Sequence, residues 1–514
     1  MQHIFHGEKV SDPASLQKYK TDASVFSILP SIVYYPKNTE DIISLVHLCH
    51  THRAQGEKAS LTVRAGGTCM SGGPLSDEWV VDLTRHMTAI SIDPEARTAT
   101  VEMGAYFRDI ETAAAEHGLM FAPYPSSRLI CGIGGMIGNN ASGEKSLRNG
   151  PTSDNVLSLE IVLADGSVAT LSPKHIAEVT EVRESALLAL AQKHAPALEK
   201  ATGEVKKAAS GYRLEKTLTE TTFSEIPLVV GAQGTLGIVT KAKLALLPIP
   251  EHLDLLIISA QSLEDIPTII DVLRAHNPEG LETFDINTYK KAEEFLPEQA
   301  ATLAPFIDPS SHLFILAQFS EDTAEATRAQ RETCEKILGE KGYFVRHSEE
   351  EHVVQSAWDV RRNSFLLMRD HNAPGHSAVP CIEDIIVPLP TLGIFIKELS
   401  HILTKRDIHY GFHGHIGDGS LRIIPVFDFS SPTLVDDIVG LTEEVFALIK
   451  SLHGNMSADH SDGIIRTPFL KEFYGEELYS VFEDIKKIYD PQGIMNPKKK
   501  VGGTIADITA HLNR

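Results

Sequence analysis

Three glycine-rich segments, each next to an apolar stretch, constrain the fold of this sequence more than any other feature. They cover residues 65–73, 131–144 and 229–240, and the first follows directly on Leu61–Arg64, which has the composition of a β-strand. Glycine permits tight turns in which several backbone N–H groups point at one anion. The first segment therefore predicts an anion-binding loop at the end of a strand, although an ordinary loop is the simpler interpretation of any one segment.

Size, charge and cysteine content narrow the class of protein. The 514 residues exceed one ordinary core, so two or three domains are expected. The formal net charge of −22 disfavours nucleic acid as a partner, and a small acidic substrate would need a local basic pocket. The five cysteines include no C-x-x-C pair, which argues against a cysteine-rich zinc site or an iron–sulfur cluster and fits a reducing compartment.

The sequence also indicates where in the cell the protein is expected. The N-terminus lacks the long apolar run of a signal peptide, and no stretch of about 18 apolar residues occurs. We therefore expect a cytoplasmic protein without a transmembrane segment. Peripheral attachment to a membrane is the open alternative.

The pattern of predicted strands and helices changes where Pro248 and Pro250 interrupt the strands. We therefore predict one domain over residues 1–248 and a second over residues 249–514. In the second domain, predicted strands alternate with predicted helices at 255–260, 263–276, 313–319 and 324–341. This alternation predicts an α+β domain whose sheet is covered on one side.

Two histidine-bearing turns carry the clearest chemical signal. Residues 411–424 hold two histidines, an aspartate and four glycines between apolar β-formers, which predicts a strand, a turn and a strand. His413 and His415 are two positions apart and would share one face of a strand. A second turn, at 457–463, contains His460. Imidazoles displayed together suit proton transfer or metal ligation. For one such cluster alone, a solvated surface turn is the slightly better explanation, but two clusters favour chemistry.

Several motifs, in this order and spacing, resemble the flavoprotein superfamily of vanillyl-alcohol oxidase and p-cresol methylhydroxylase (PCMH), and within it the D-2-hydroxy-acid dehydrogenases. Residues 64–73 resemble the pyrophosphate-binding loop, 134–143 the segment along the other side of the FAD, 231–240 the G-x-x-G-T-L-G-I-V-T strand, and 490–497 the D-P-x-G-x-x-N-P ending. The resemblance implies an α+β fold. A PCMH-type FAD-binding domain of two subdomains would precede an FAD-linked oxidase C-terminal domain, an antiparallel sheet covered by helices.

The same resemblance implies that FAD is the cofactor. Backbone amides of the glycine loops would hold its diphosphate without a dense basic patch, which suits an acidic protein. Many family members carry a histidine bonded to the flavin where this chain has Thr68, so we expect dissociable, non-covalent FAD. Lys206, Lys207 and Tyr212 are expected near the flavin face. The implied FAD-contacting residues are Arg64, Gly66, Gly67, Thr68, Cys69, Ser71, Gly72, Gly134, Gly135, Gly138, Asn139, Ser142, Gly143, Gly234, Gly237, Ile238, Val239 and Asn496.

By resemblance, His460 is the base that removes the substrate hydroxyl proton while hydride leaves the α-carbon for flavin N5. A hydrogen-bonded structural histidine is the alternative. Arg361, in a W-x-x-R segment, would bind the substrate carboxylate. Ile382 stands about where some D-2-hydroxyglutarate enzymes use a lysine, which puts a second substrate carboxylate in doubt.

The family's metal motif is altered in this chain. His415 corresponds to its first metal-binding histidine and Asp459 to its acidic ligand, but Arg422 stands where the second histidine falls, seven positions after the first. Losing one imidazole weakens a three-ligand site for zinc or manganese. Two outcomes follow. Either His413 replaces the missing ligand, or the metal is gone and Arg422 supplies positive charge to the substrate, which we favour.

Together these features predict FAD-dependent oxidation of a small D-2-hydroxy acid, of the lactate, 2-hydroxyglutarate or glycolate type, to the 2-oxo acid. One alternative is a redox-neutral flavoenzyme of the alkyl-dihydroxyacetone-phosphate synthase type, and another is a degenerate flavin-binding subunit of a larger complex. Electrons would leave to a partner protein, a quinone or oxygen. The oligomeric state is left open, with a homodimer as one option.

Overall fold

A computed structural model describes residues 4–370 and 372–513. Its first sheet consists of four short strands: β1 (Glu8–Val10), β2 (Ile32–Tyr35), β3 (Leu61–Arg64) and β4 (Trp79–Asp82). They lie in the order β1-β2-β4-β3, and β4 runs parallel to both β2 and β3. The strand predicted before the first glycine-rich segment is therefore present as β3, and that segment leaves the sheet at its carboxyl end.

The second sheet has five antiparallel strands in the order β5-β6-β12-β8-β9. These are β5 (Ile90–Asp93), β6 (Thr98–Glu102), β8 (Val156–Val162), β9 (Val168–Leu171) and β12 (Ile238–Ala245). Burial alternates along the central strand β12, because one face packs on the core. Two short ladders pair β7 (Leu119–Met120) with β13 (Leu247–Pro248), and β10 (Lys174–His175) with β11 (Thr222–Phe223).

The third sheet has eight strands, and every pairing within it is antiparallel. Its strands are β14 (His252–Ala260), β15 (Gly280–Asp285), β16 (Leu313–Glu321), β17 (Phe344–Ser348), β18 (His376–Ala378), β19 (Ile385–Ile386), β20 (His409–Gly414) and β21 (Ser420–Asp428). The order is β17-β14-β16-β15-β20-β21-β18, with β19 also paired to β21. This sheet confirms the predicted α+β class.

Helices connect and cover the sheets. They are α1 (Pro13–Leu16), α2 (Thr39–Ala54), α3 (Phe107–Ala115), α4 (Ile133–Asn139), α5 (Ser146–Asn149), α6 (Val182–Thr202), α7 (Ile226–Val229), α8 (Ile266–Arg274), α9 (Ile286–Phe295), α10 (Pro297–Leu303), α11 (Ala324–Glu340), α12 (Glu351–Arg362), α13 (Ser364–Asp370), α14 (Leu392–Lys405), α15 (Leu434–Ser451), α16 (Gly463–Arg466), α17 (Leu470–Tyr474), α18 (Glu476–Tyr489) and α19 (Ile505–His511). The helices predicted at 263–276 and 324–341 are present as α8 and α11.

The expectation that helices cover only one side of the third sheet was wrong. Leu256 and Ile258 on β14 belong to the core that contains residues of α8 and α11. Leu255 and Ile257, on the opposite face, pack in a separate core with residues of α9, α10 and α12. The reason is visible in the sequence, because a continuous apolar run is typical of a strand buried on both faces.

The C-terminal segment returns to the first sheet. Met495 forms a parallel bridge with Leu61, and the N–H of Asn496 donates to the Leu61 carbonyl oxygen at 2.9 Å. This return brings the 490–497 motif beside the first glycine-rich segment. Within residues 4–370 and 372–513, every helix is too short or too polar to cross a lipid bilayer.

Candidate active site

A narrow cleft with a cavity volume of about 100 Å³ runs between the glycine-rich segments. Its walls come from the loop after β3, from α4 and from the turn before β12. The lining residues are Val63, Ala65, Gly66, Gly67, Thr68, Cys69, Gly73, Pro74, Leu83, Met103, Gly134, Gly135, Ile137, Gly138, Asn139, Val229, Ala232, Gln233, Gly234, Leu236, Gly237 and Val239. The three segments that the sequence singled out therefore meet at one place.

Most of the predicted cofactor residues line this cleft, and the others do not. Those in the walls are Gly66, Gly67, Thr68, Cys69, Gly134, Gly135, Gly138, Asn139, Gly234, Gly237 and Val239. Outside the walls are Arg64, Ser71, Gly72, Ser142, Gly143, Ile238 and Asn496.

Several of the outer residues hold the cleft loops in place. Arg64 donates to the carbonyl oxygens of Tyr19 and Thr21, and a Cβ at Gly67 would lie 2.4 Å from its Nη2 atom. Gly67 also has a φ of +68°, so only glycine fits there. The side-chain amide of Asn496 donates to the carbonyl oxygens of Gly73 and Gln233 at 3.0 and 2.6 Å.

The turn at 457–463 is tied directly to the first glycine-rich segment. The Ser71 hydroxyl donates to the His460 carbonyl oxygen at 3.2 Å, and the N–H of Ile464 donates to the Ser71 carbonyl oxygen at 2.7 Å. Gln233 bridges the same parts, because its Nε2 donates to Ser71 while its Oε1 accepts the Gly463 N–H. His460 is consequently held beside one end of the cleft.

Arg422 lies at the centre of a buried polar cluster. Its Nη1 donates to His460 Nε2 at 2.6 Å, and its Nη2 donates to His415 Nε2 at 3.0 Å and to Asp459 Oδ1 at 2.6 Å. Burial disfavours a charge on Asp459, but Arg422 and Lys207 outweigh it and hold the pKa of Asp459 well below its usual value. The guanidinium therefore joins three side chains that sequence analysis had proposed separately.

His460 is oriented by Glu383, because its Nδ1 lies 2.9 Å from both carboxylate oxygens. Burial disfavours a charge on Glu383, yet His460 and Arg466 lower its pKa to about 2. Burial and Arg422 favour the neutral His460 ring, but Glu383 and Asp384 together raise the pKa of His460 above its usual value. Since arginine only donates, Nε2 carries a lone pair and Nδ1 carries the proton.

Asp384 anchors the backbone of the same turn. Its carboxylate accepts the N–H groups of Asp459 and His460 at 3.0 and 2.7 Å, and the Ser457 hydroxyl at 2.6 Å. Burial, followed by the neighbouring Asp459 charge, raises the pKa of Asp384 to about 7. The turn is thus fixed both to Asp384 and to Ser71.

Arg361 is buried beside this cluster, with only 3% of its surface exposed. Its Nη2 lies 2.6 Å from Glu282 Oε2, and the other oxygen of Glu282 lies 2.5 Å from His415 Nδ1. Among the described residues, neither Nε nor Nη2 of Arg361 has an acceptor in hydrogen-bonding geometry. A buried guanidinium with unused N–H groups is suited to an anionic ligand.

The two histidines of the 411–424 turn have different surroundings. His415 lies just beyond β20, and burial, Lys207 and Arg422 lower its pKa well below the usual value. His413 lies on β20 opposite Arg422, and its Nδ1 has no hydrogen-bond partner in the described part of the chain. Burial lowers its pKa strongly as well. Both rings are therefore neutral, but only His415 contacts Arg422 through a described hydrogen bond.

The first half of the chain adds Ser142 and Lys207 to the cluster. Lys207 is buried, and its Nζ donates to Ser142 Oγ at 2.7 Å and lies 3.4 Å from Asp459 Oδ2. The Ser142 hydroxyl donates to the same Asp459 oxygen. Lys207 was expected at the flavin face, whereas Ser142 was predicted as a cofactor contact. In this structure both support Asp459.

Two protein-family models match this chain in sequence order. The model described as an FAD binding domain matches residues 30–172, and the model described as the C-terminal domain of FAD linked oxidases matches residues 249–500. The chain belongs to the FAD-linked oxidases. This result confirms the predicted family, the two-part architecture of the fold class and FAD as the cofactor.

Individual relatives agree with this assignment. The chain is 29% identical to a D-2-hydroxyglutarate dehydrogenase of Pseudomonas putida over 96% of this chain and 50% of that protein. It is 28% identical to the glycolate oxidase subunit GlcD of Bacillus subtilis, over 94% of this chain and 91% of that protein. A solved alkyldihydroxyacetonephosphate synthase shares the fold with a TM-score of 0.65 at 15% identity, covering 96% of this chain and 82% of that chain.

The chain spans about half the length of the curated D-2-hydroxyglutarate dehydrogenases that it matches. It covers most of the length of the glycolate oxidase subunit. Activity, substrate and partners are therefore taken up below as proposals.

The cleft fits FAD. A Cβ at Gly135 or Gly138 would meet no protein atom closer than 4.0 or 3.7 Å, so protein packing does not require glycine there. Both residues line the cleft, and a larger side chain at either position would occupy the space left for a ligand. In this FAD-linked oxidase, the loops after β3 and before β12, together with α4, would hold the cofactor.

A divalent metal does not fit the polar cluster. The three acceptor atoms that would serve as ligands, His415 Nε2, Asp459 Oδ1 and His460 Nε2, all face the Arg422 guanidinium at 2.6–3.0 Å. Glu383, Asp384 and His460 form another group with close ligand atoms. However, Glu383 is paired with Arg466, and Asp384 accepts backbone N–H groups, so these carboxylates are already engaged.

Sequence reasoning missed Glu282, Glu383 and Gln233 as parts of the site. Glu282 had no clear signal in the sequence, because β15, the strand that carries it, has the mixed sequence G-L-E-T-F-D. Glu383 directly follows Ile382, which the family resemblance had singled out, but nothing in the sequence linked it to His460. Gln233 lies between two glycines of the third segment, and its bridging contacts depend on residues far away in the chain.

Proposed function

We propose that this FAD-linked oxidase oxidises a small D-2-hydroxy acid to the 2-oxo acid. The observation that carries the proposal is that one buried cluster contains two complementary side chains: His460, whose Nε2 is a hydrogen-bond acceptor, and Arg361, whose Nε has no hydrogen-bond partner among the described residues. One is suited to accept a hydroxyl proton and the other to hold a carboxylate. The names of the relatives, a D-2-hydroxyglutarate dehydrogenase and a glycolate oxidase subunit, support the same substrate class.

In the proposed reaction, Arg361 binds the carboxylate of the substrate and thereby orients its α-carbon. The substrate hydroxyl group replaces Arg422 Nη1 as the hydrogen-bond donor to His460 Nε2, and that nitrogen then accepts the hydroxyl proton while Glu383 holds the ring through Nδ1. The hydrogen on the α-carbon leaves with both electrons of the C–H bond, as a hydride. The electron pair of the former O–H bond then forms the carbonyl double bond. When bound, FAD supplies the hydride acceptor.

The domain roles belong to the same proposal. Residues 1–248 would bind FAD, and residues 249–514 would supply the catalytic side chains. Ser142 and Lys207 are the contribution of the first half to the polar cluster, through Asp459. The substrate would consequently bind where the two halves meet.

An anaerobic stopped-flow screen tests this function. The FAD-loaded protein is mixed with D- and L-forms of lactate, 2-hydroxyglutarate, malate and glycerate, and with glycolate, while flavin absorbance is recorded. Bleaching by D-acids supports the proposal. Flavin that stays oxidised with every acid favours the redox-neutral alternative or a non-catalytic subunit. Mixing the reduced protein with oxygen, with a quinone or with a candidate partner protein then distinguishes the three classes of electron acceptor.

A further inference from the structure

We propose that the guanidinium of Arg422 takes the place of a divalent metal ion in this site, so that the protein works with a cation built into its own chain. The catalytic part of this inference rests on the proposed function, whereas the metal-binding part does not.

The geometry around Arg422 is that of a ligand set closed around a cation. His415 follows β20, Asp459 and His460 lie on the turn at 457–463, and all three present an acceptor atom to the same guanidinium. The Nδ1 atoms of both imidazoles face carboxylates, Glu282 and Glu383, so their Nε2 lone pairs are free to accept. Lone pairs that converge in this way would repel one another without a positive charge between them.

The guanidinium and a metal ion exclude each other. Zinc needs its nitrogen and oxygen ligands at about 2.0–2.2 Å. The same ligand atoms lie 2.6–3.0 Å from Nη1 and Nη2, which fill the space between them. A metal would also face a permanently charged arginine, which cannot release its proton to make room.

Arg422 still has an N–H group and a positive charge with which it can act on a substrate. It is 91% buried, and among the described residues its Nε has no hydrogen-bond partner. Its Nη1 touches the nitrogen atom that would take the hydroxyl proton. A fixed positive charge at this point would stabilise the alkoxide character that develops on the substrate oxygen, which a metal can do as a Lewis acid in other enzymes.

The test is a comparison of metal content in wild type and in Arg422→His. Both proteins are loaded with FAD, incubated with zinc or manganese, dialysed and analysed by mass spectrometry. Wild type should retain no stoichiometric metal, and a chelator should leave flavin reduction by the substrate unchanged. Arg422→His restores an imidazole seven positions after His415 and should retain one metal ion per chain, with activity that the chelator removes.

Two controls make the result specific. Arg422→Lys keeps the positive charge without adding a ligand and should retain no metal. The double variant His415→Ala, Arg422→His should lose the metal that the single variant gains. FAD content and circular dichroism show whether each variant is folded.

Either of two results would overturn the inference. One is a metal ion bound stoichiometrically by wild type, and this measurement needs no variant. The other is a folded, FAD-loaded Arg422→His protein that binds no metal. Because metal content is measured without a substrate, it tests the inference even if no hydroxy acid reduces the flavin.

Discussion

Removal of the Arg361 side chain is the most direct test of substrate binding. Arg361 is buried on α12, and its only described ionic partner is Glu282. If its unused N–H groups hold the substrate carboxylate, Arg361→Ala removes that contact. It also leaves Glu282 without its closest positive charge, and burial already raises the pKa of this carboxyl group.

The size of the effect follows from the kind of contact. A hydrogen bond to a charged group contributes about 1.5–3 kcal/mol, and a guanidinium can make two to one carboxylate. Allowing for incomplete additivity, we expect a loss of roughly 2–4 kcal/mol in transition-state stabilisation. This corresponds to a fall of roughly 30- to 900-fold in kcat/KM for flavin reduction. Arg361→Lys retains the charge but not the planar fork, so its loss should be smaller.

The adjacent arginine provides a matched control. Arg362 lies on the same helix, but it forms a bidentate pair with Glu144 and does not join the polar cluster. Arg362→Gln should lower stability without changing the kcat/KM of the folded enzyme. The assay is anaerobic flavin reduction over a range of substrate concentrations, with FAD content checked for each protein. An unchanged kcat/KM in folded, FAD-loaded Arg361→Ala would refute the carboxylate-binding role.

Four further outcomes are expected. His460→Asn should slow flavin reduction by about two to four orders of magnitude at unchanged FAD content, and a smaller loss would argue for a structural histidine. Flavin reduction should increase with pH through the raised pKa of His460, because the base must be neutral; Glu383→Gln should lower that pKa and move the acid limb to lower pH. Acid precipitation should release intact FAD, since Thr68 cannot form the histidine link, and colour in the pellet would contradict this. Gly135→Val should reduce FAD retention, whereas Gly339→Val, at an open position on α11, should retain FAD.

Local sequence patterns predicted the elements of this fold well. The strand Leu61–Arg64, the glycine-rich loop after it and the helix Ala324–Glu340 each depend on neighbouring residues, so composition and periodicity reveal them. The two-sided burial of β14 was missed for a different reason. Its apolar run was recognised as a strand, but the helices on its second face come from distant parts of the chain.

Most residues of the candidate site could be predicted from the sequence, but the contacts between their side chains could not. His415, Arg422 and Asp459 were proposed from the resemblance to the family's metal motif, and in the structure the Arg422 guanidinium contacts both of the others. Glu282 could not be found in this way. Its partners come from α12 and from the turn after β20, and only the tertiary fold brings them to the same strand.

The charge pattern of the cluster is compatible with the proposal that this strongly acidic protein binds an anionic substrate. Three inner carboxylates each lie between two donors: Glu282 between Arg361 and a histidine, Asp459 between Arg422 and a lysine, and Glu383 between a histidine and an arginine. The carboxylates are thereby neutralised within the protein. The N–H groups left without acceptors in the described chain belong instead to cations, including Nε of both Arg361 and Arg422. The net charge of −22 is a property of the whole chain and does not give the charge at the site. The proposed substrate would contact buried, positively charged side chains there.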